Sequence, residues 1–232
     1  IGKAFILERM DRVQCGLGQG LGAGPPIFIQ QRPFERTAVH ADPERDTTLV
    51  DGLDDLLHLP PGADVAGVDP HTIHDLGGFQ VRRGVPSLQA RRVGPFVFVD
   101  HMGPALFQPG RGIDVRPHPH IGLATVTYLW AGALRHRDTL GSVQDILPGD
   151  VNWMTAGRGI VHSERTPERL KNIDHAFHGL QTWVALPREH EDAPPAFSHH
   201  PAKDLPQFEA DGARGRLVVG TYAGLRAPAP TY

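Results

Sequence analysis

The sequence predicts an all-β barrel or sandwich from Gly77 onward, and three observations carry that reading. Short runs rich in β-branched and aromatic residues recur: "FQVRR", "GPFVFVDHM", "ATVTYLW", "RHRDTL", "VQDILPGDVNWMTA", "GIVHSE" and "HGLQTWVALP". Gly, Pro and Asp punctuate them at intervals of about ten residues, the strand spacing of sandwiches and barrels. No long stretch of helical period interrupts the series.

The elements divide into three stretches. Residues 1–74 read as an irregular N-terminal extension with no recognised domain. The Gly-rich "CGLGQGLGAGPP" is a linker rather than a dinucleotide loop, because Pro25-Pro26 follows where a helix is needed. Asp46 to Leu59 is expected to form one short amphipathic helix ending before Pro60-Pro61. Residues 75–187 hold the strand series. Residues 188–232 read as a polar, Pro-rich connection followed by one further strand, "GRLVVGTYAG".

Bulk composition excludes several classes. Hydrophobic residues at 40% suffice for a core, and charged residues at 21% argue against global disorder. A formal net charge of −3 gives no electrostatic footprint for nucleic acid. The doublets Arg82-Arg83 and Arg91-Arg92 read as solvated. Cys15 is the only cysteine, so an intramolecular disulfide and a thiolate cluster are both excluded. A reducing, cytoplasmic setting fits this. No apolar run approaches the ~20 residues that span a bilayer, so no membrane partner is expected. The first residues lack a signal-peptide pattern and an initiator Met, and are expected to come from a processed or partial chain.

The chemistry centres on "GIDVRPHPHIGLATVTYL". Pro117 and Pro119 hold the backbone extended, so His118 and His120 project from one face of a strand. Downstream, "GRGIVHSE" carries a second pair at the same spacing, His162 and Glu164. Two such pairs on neighbouring strands can converge, bringing three imidazoles and one carboxylate to a point. That set suits a first-row divalent metal with positions left open for substrate or dioxygen. The alternative is a group of ordinary core or surface histidines, since one H-x-H is weakly specific in a chain with 14 histidines. Carrying the alternation onward puts Gly122 and Ala124 beside the metal, with Val126, Tyr128 and Trp130 as an apolar wall. His101 and His136 have no partner at ligand spacing. His71, His74, His175, His178, His199 and His200 are expected at the surface, and Asp100 and Asp138 as turn caps. Ser163 points away from its neighbours, which makes a Ser-His-Glu triad geometrically poor.

These residues also carry a family resemblance. "RRVGPFVFVDHMGP", "DVRPHPHIGLATVTYLW", "HRDTLGSVQDILPGDVNWMTAGRGIVHSERTP" and "HGLQTWVALP" closely resemble the pirin family of the cupin superfamily, over roughly residues 75–232. The resemblance implies a bicupin: two double-stranded β-helix (jelly-roll) barrels in tandem, with the metal in the first. Gly112, followed after five residues by His118-x-His120, fits the first cupin motif, and Gly132 its closing glycine. The glutamate of that motif would fall on Ala124 or Thr125, so the carboxylate comes instead from His162-x-Glu164. The resemblance thus implies Fe(II), with Mn, Co, Ni or Cu as other ions such ligands accept, held by His118, His120, His162 and Glu164. It further implies a quercetin 2,3-dioxygenase activity, with a flavonol and O2 as partners and CO as a product; Glu164, on loosening from the metal, is then expected to accept the flavonol proton as general base. The alternative it implies is a redox-sensitive iron regulator acting through protein partners. Residues 1–74 match nothing in that family and the second barrel is only begun, so a partial or misassembled reading frame is expected.

Overall fold

The computed structural model describes residues 3–9, 39–40, 73–75, 79–87, 91–210 and 213–232. The glycine-rich run and the helix expected over residues 46–59 lie outside the described residues. Two short strands are described within residues 1–74, which had read as irregular, and a third straddles their end: β1 (Lys3–Arg9), β2 (Val39–His40) and β3 (Ile73–Asp75). The strand series then follows as expected: β4 (Gln80–Val85), β5 (Phe96–Phe107), β6 (Asp114–His120), β7 (Leu123–Ala131), β8 (Leu134–Asp138), β9 (Val143–Ile146), β10 (Val151–Thr155), β11 (Ile160–Arg165) and β12 (His175–Ala185). Among the described residues the only helices are three 3-10 turns of three residues each. None is long and apolar enough to cross a membrane.

Beyond Pro187 the structure departs from a mere connection. It contains β13 (Ala196–His200) and β14 (Gln207–Ala210) before the expected strand, β15 (Ala213–Val219), and ends with the two-residue strands β16 (Thr221–Tyr222) and β17 (Leu225–Arg226). Strand β13 pairs antiparallel with β10, from Val151 opposite His200 to Thr155 opposite Ala196. Its two histidines and flanking Pro195 and Pro201 hide the strand from a hydrophobic-alternation reading, because an edge strand needs little apolar surface.

Two sheets make the barrel. One has seven strands in the order β13-β10-β7-β12-β5-β4-β3, the other four in the order β6-β11-β8-β9. Between them Phe79, Val81, Met102, Phe107, Leu129 and Phe177 pack against Ile113, Leu134 and Ile146. The large sheet is covered on its other side too. There Ala124, Val126, Tyr128, Val151 and Trp153 pack with Leu205, Val218, Val219 and Ala229 from the C-terminal segment. Double coverage explains why β7 is buried from Ala124 to Leu129 without interruption and why its text is nearly continuously apolar. Gly132 closes the strand with φ +85°, and a Cβ there would lie 2.4 Å from the Ala176 carbonyl oxygen. Only glycine meets both demands.

Candidate metal centre

Strands β6 and β11 pair antiparallel with His118 directly opposite His162, and Ile160 opposite His120. Because β6 is the edge of its sheet, Pro117 and Pro119 cost it little ladder bonding. The three imidazoles converge: ring centroids are 4.9 Å apart for His118–His120, 4.4 Å for His118–His162 and 5.0 Å for His120–His162. One ring nitrogen from each lies within 4.8 Å of the other two. His118 is half-buried, while His120 and His162 are 8% and 2% exposed.

The donor atoms fit a cation. His118 Nδ1 donates to the Arg116 carbonyl oxygen at 2.9 Å, which leaves its Nε2 lone pair free to bind. His162 Nε2 is buried without a hydrogen-bond partner, a cost of about 1–3 kcal/mol that a bound ion removes. Burial, then the His118 ring, lowers the pKa of His120 to about 4. Burial and the neighbouring imidazoles lower that of His162 to about 2. Both rings are therefore neutral at pH 7, the form that ligates metal.

Glu164 stands apart from this group. A register shift between His162 and Glu164 places it opposite Val115. Its Oε1 accepts from Thr127 Oγ1 at 3.4 Å, while the same hydroxyl lies 2.8 Å from Gln181 Oε1. Its carboxylate is not within the 4.8 Å set formed by the three histidines. Burial pushes its pKa up to about 7, against the smaller opposing effect of the Thr127 bond.

The aromatic wall differs from the expected one. Val126 and Tyr128 belong to the opposite face of the large sheet, with the C-terminal segment, and Ala124 goes with them. Trp130 lies there as well, against His101 and His178. Strand β6 ends at His120 and β7 begins at Leu123, so the turn between them resets the alternation. Thr127, not Val126 or Tyr128, therefore faces the site. Its wall comes from elsewhere: Trp183 on β12 meets the His120 ring edge-on at 4.9 Å and stacks on Phe98 of β5 at 4.1 Å and 14°. The Arg83 guanidinium covers Phe98 at 4.5 Å and grips Asp100 through two 2.8 Å bonds. Arg83 is thus not simply solvated, and Asp100 is a mid-strand ion pair rather than a turn cap.

Other histidines expected at the surface, or without partners, are also held inside. His101 Nε2 and His178 Nε2 are 2.8 Å apart, and Arg82 Nη1 lies 3.3 Å from His101 Nδ1. His175 is buried, and His199 bonds Asn152 at 2.8 Å. His175 and His178 are both in β12, despite their helical spacing, because a register shift at Phe177/Gly179 breaks the simple alternation there. His136 is 4% exposed and sits beside His162, with its ring nitrogen 2.9 Å from Asp138 Oδ2. The signal was present in the sequence, since H-x-D repeats the same-face spacing of the ligand pairs. Asp138 does cap a turn as expected, accepting from the Leu140 and Ser142 amides.

Burial of so many neutral imidazoles has a consequence for the metal-free protein. Burial also lowers His101 to about 3, and shifts His136, His178 and His200 downward. With folded values below the ordinary 6.5, the unfolded chain binds more protons, so stability is fully present above about pH 6.5 and is lost as pH falls toward 4. Glu164 acts in the opposite sense but is one group against several. The urea midpoint is expected to fall between pH 7.5 and pH 5.0; a flat profile over that interval contradicts this.

A two-sheet barrel that presents H-x-H and H-x-E on adjacent antiparallel strands belongs to the cupin class. The chain is a member of the pirin family, whose family model, described as pirin, matches residues 78–184. A pirin-like protein from Caulobacter vibrioides is 52% identical over 162 residues, covering 68% of this chain and 56% of that protein. Pirin from Rattus norvegicus is 33% identical over 151 residues, covering 65% of this chain and 48% of its own length. Among solved structures, a quercetin 2,3-dioxygenase from Acinetobacter baumannii superposes with a TM-score of 0.64 at 41% identity, covering 69% of this chain and 52% of that one. The chain spans about half the length of the curated relatives it matches.

Proposed function

We propose that this chain carries the metal-binding barrel of a pirin-type dioxygenase, one that opens the flavonol ring of quercetin with O2 and releases CO. The observation that carries the reading is the meeting of three imidazoles beside an aromatic wall. His118, His120 and His162 would hold a divalent ion through their ring nitrogens, with Glu164 as the carboxylate available two residues beyond His162. Such donors accept Fe(II) and equally Mn, Co, Ni or Cu. When bound, the ion supplies the Lewis acidity that makes a flavonol 3-hydroxyl easier to ionise.

The chain's own residues do the rest. Glu164, held near pH 7 by burial, is the base that accepts the 3-hydroxyl proton. Trp183, backed by Phe98, offers a flat face to a planar substrate. The Thr127 hydroxyl lies 3.4 Å from the Glu164 carboxylate and 2.8 Å from Gln181 Oε1, so it is placed between the two. The name of the Acinetobacter baumannii protein supports the substrate class.

The test is a steady-state assay of metal-loaded protein with quercetin, following flavonol absorbance and CO. Turnover above that of the same metal free in buffer is expected. Turnover no faster than the free metal sinks the enzyme reading.

A further inference from the structure

The reading of the three histidines as metal ligands leaves open what aims the most buried of them, and the inference here rests on that reading. His136 lies on β8 beside β11, with Glu164 opposite it in the ladder. Its Nδ1 is 3.4 Å from the Nδ1 of His162, and the ring centroids are 5.2 Å apart at 41°. Nitrogens so much closer than the centroids mean that the rings meet at their edges rather than stack. On its far side, His136 Nε2 is 2.9 Å from Asp138 Oδ2. The other oxygen of Asp138 accepts the backbone N–H groups of Leu140 at 2.9 Å and Ser142 at 3.0 Å. Phe197, from β13, stacks on the face of His136 at 4.2 Å and 10°.

Counting protons along this line leaves one consistent arrangement. A carboxylate only accepts, so His136 Nε2 must carry a proton. A second proton on Nδ1 would leave a cation, 4% exposed, among other imidazoles. His136 Nδ1 is therefore bare and can only accept, which requires the proton of His162 to be on Nδ1. The atom left with a lone pair is His162 Nε2, which is buried without a hydrogen-bond partner. We infer that Asp138 and His136 form a positioning relay that locks His162 in its Nδ1–H tautomer and points Nε2 at the metal, with Phe197 holding the middle ring in plane. Neither His136 nor Asp138 touches the ion; both act through His162.

Asp138→Asn tests the relay with almost no change of shape. The Leu140 and Ser142 amides keep the side-chain oxygen where Oδ1 stands, so the new NH2 group faces His136 Nε2. That nitrogen must then accept, both rings change tautomer, and His162 carries its proton on Nε2. Long-range proton–nitrogen NMR of 15N-labelled, metal-free protein reads this directly, with His162→Ala identifying the His162 signals. The wild type is expected to show Nδ1–H at His162 and the Asn variant Nε2–H. Co(II) affinity should fall about 10–100-fold in the variant. A wild-type His162 protonated on Nε2, or the same tautomer in both proteins, overturns the relay. The wild-type spectrum decides even where the variant does not fold. Stoichiometric Co(II) uptake by the wild type tests the metal reading separately, so the two failures are distinguishable.

Discussion

Replacing His162 with alanine is expected to abolish stoichiometric metal binding while leaving the fold in place. His162 is directly opposite His118 in the ladder, and its ring is 4.4 Å from His118 and 5.0 Å from His120. Without it, only the two imidazoles on the edge strand β6 remain of the three that converge. The metal-free protein should change stability by less than ~2 kcal/mol, because the lost ring carried a buried, unpartnered Nε2 whose desolvation cost disappears with it. Linkage separates these effects. At a metal concentration about 100 times Kd, binding stabilises the wild type by about 2.7 kcal/mol, and the variant should gain none of it. Elemental analysis beside a thermal or urea titration with Co(II) checks both parts. Stoichiometric metal retained in the variant would remove the basis of the metal centre.

Phe177→Ala is expected to be the most damaging single truncation of the barrel core, costing about 3–5 kcal/mol and falling toward the upper end. The ring is 1% exposed and meets Phe79 at 6.2 Å and 80°, and Phe107 at 6.4 Å and 50°. The cavity cannot collapse easily, because the backbone around it is pinned. A Cβ at Gly103 would lie 2.5 Å from the Phe177 carbonyl oxygen, and one at Gly132 would lie 2.4 Å from that of Ala176. The chain is already packed against both glycines and has no room to slide inward. Against a typical domain stability of about 5–15 kcal/mol, such a loss is a large fraction of the whole. Equilibrium urea unfolding of metal-free protein measures it. A loss below ~1 kcal/mol would mean that the core relaxes more freely than its glycine contacts allow.

Much of the barrel was legible because its strands carry their own punctuation. "FQVRR", "ATVTYLW" and "GIVHSE" each became a strand within a few residues of the expected ends. The pairs His118/His120 and His162/Glu164 were legible for a related reason: alternation along one strand is local chemistry. Three of those four side chains meet, whereas Glu164 turns to Thr127. The register shift after His162 is a property of the pairing and is invisible in either segment alone.

Local text determined which segments extend, where glycine must break them, and which side chains share a face within one strand. Only the tertiary structure decided how those faces are phased against each other. The turn at Ile121-Gly122 sent Val126 and Tyr128 to the far side of the sheet and brought Thr127 to the site. The distant segment carrying Phe197 reached back to lie against His136. Alternation along a strand follows from the stereochemistry of neighbouring residues, but register between strands depends on the whole set of pairings closing around a common core.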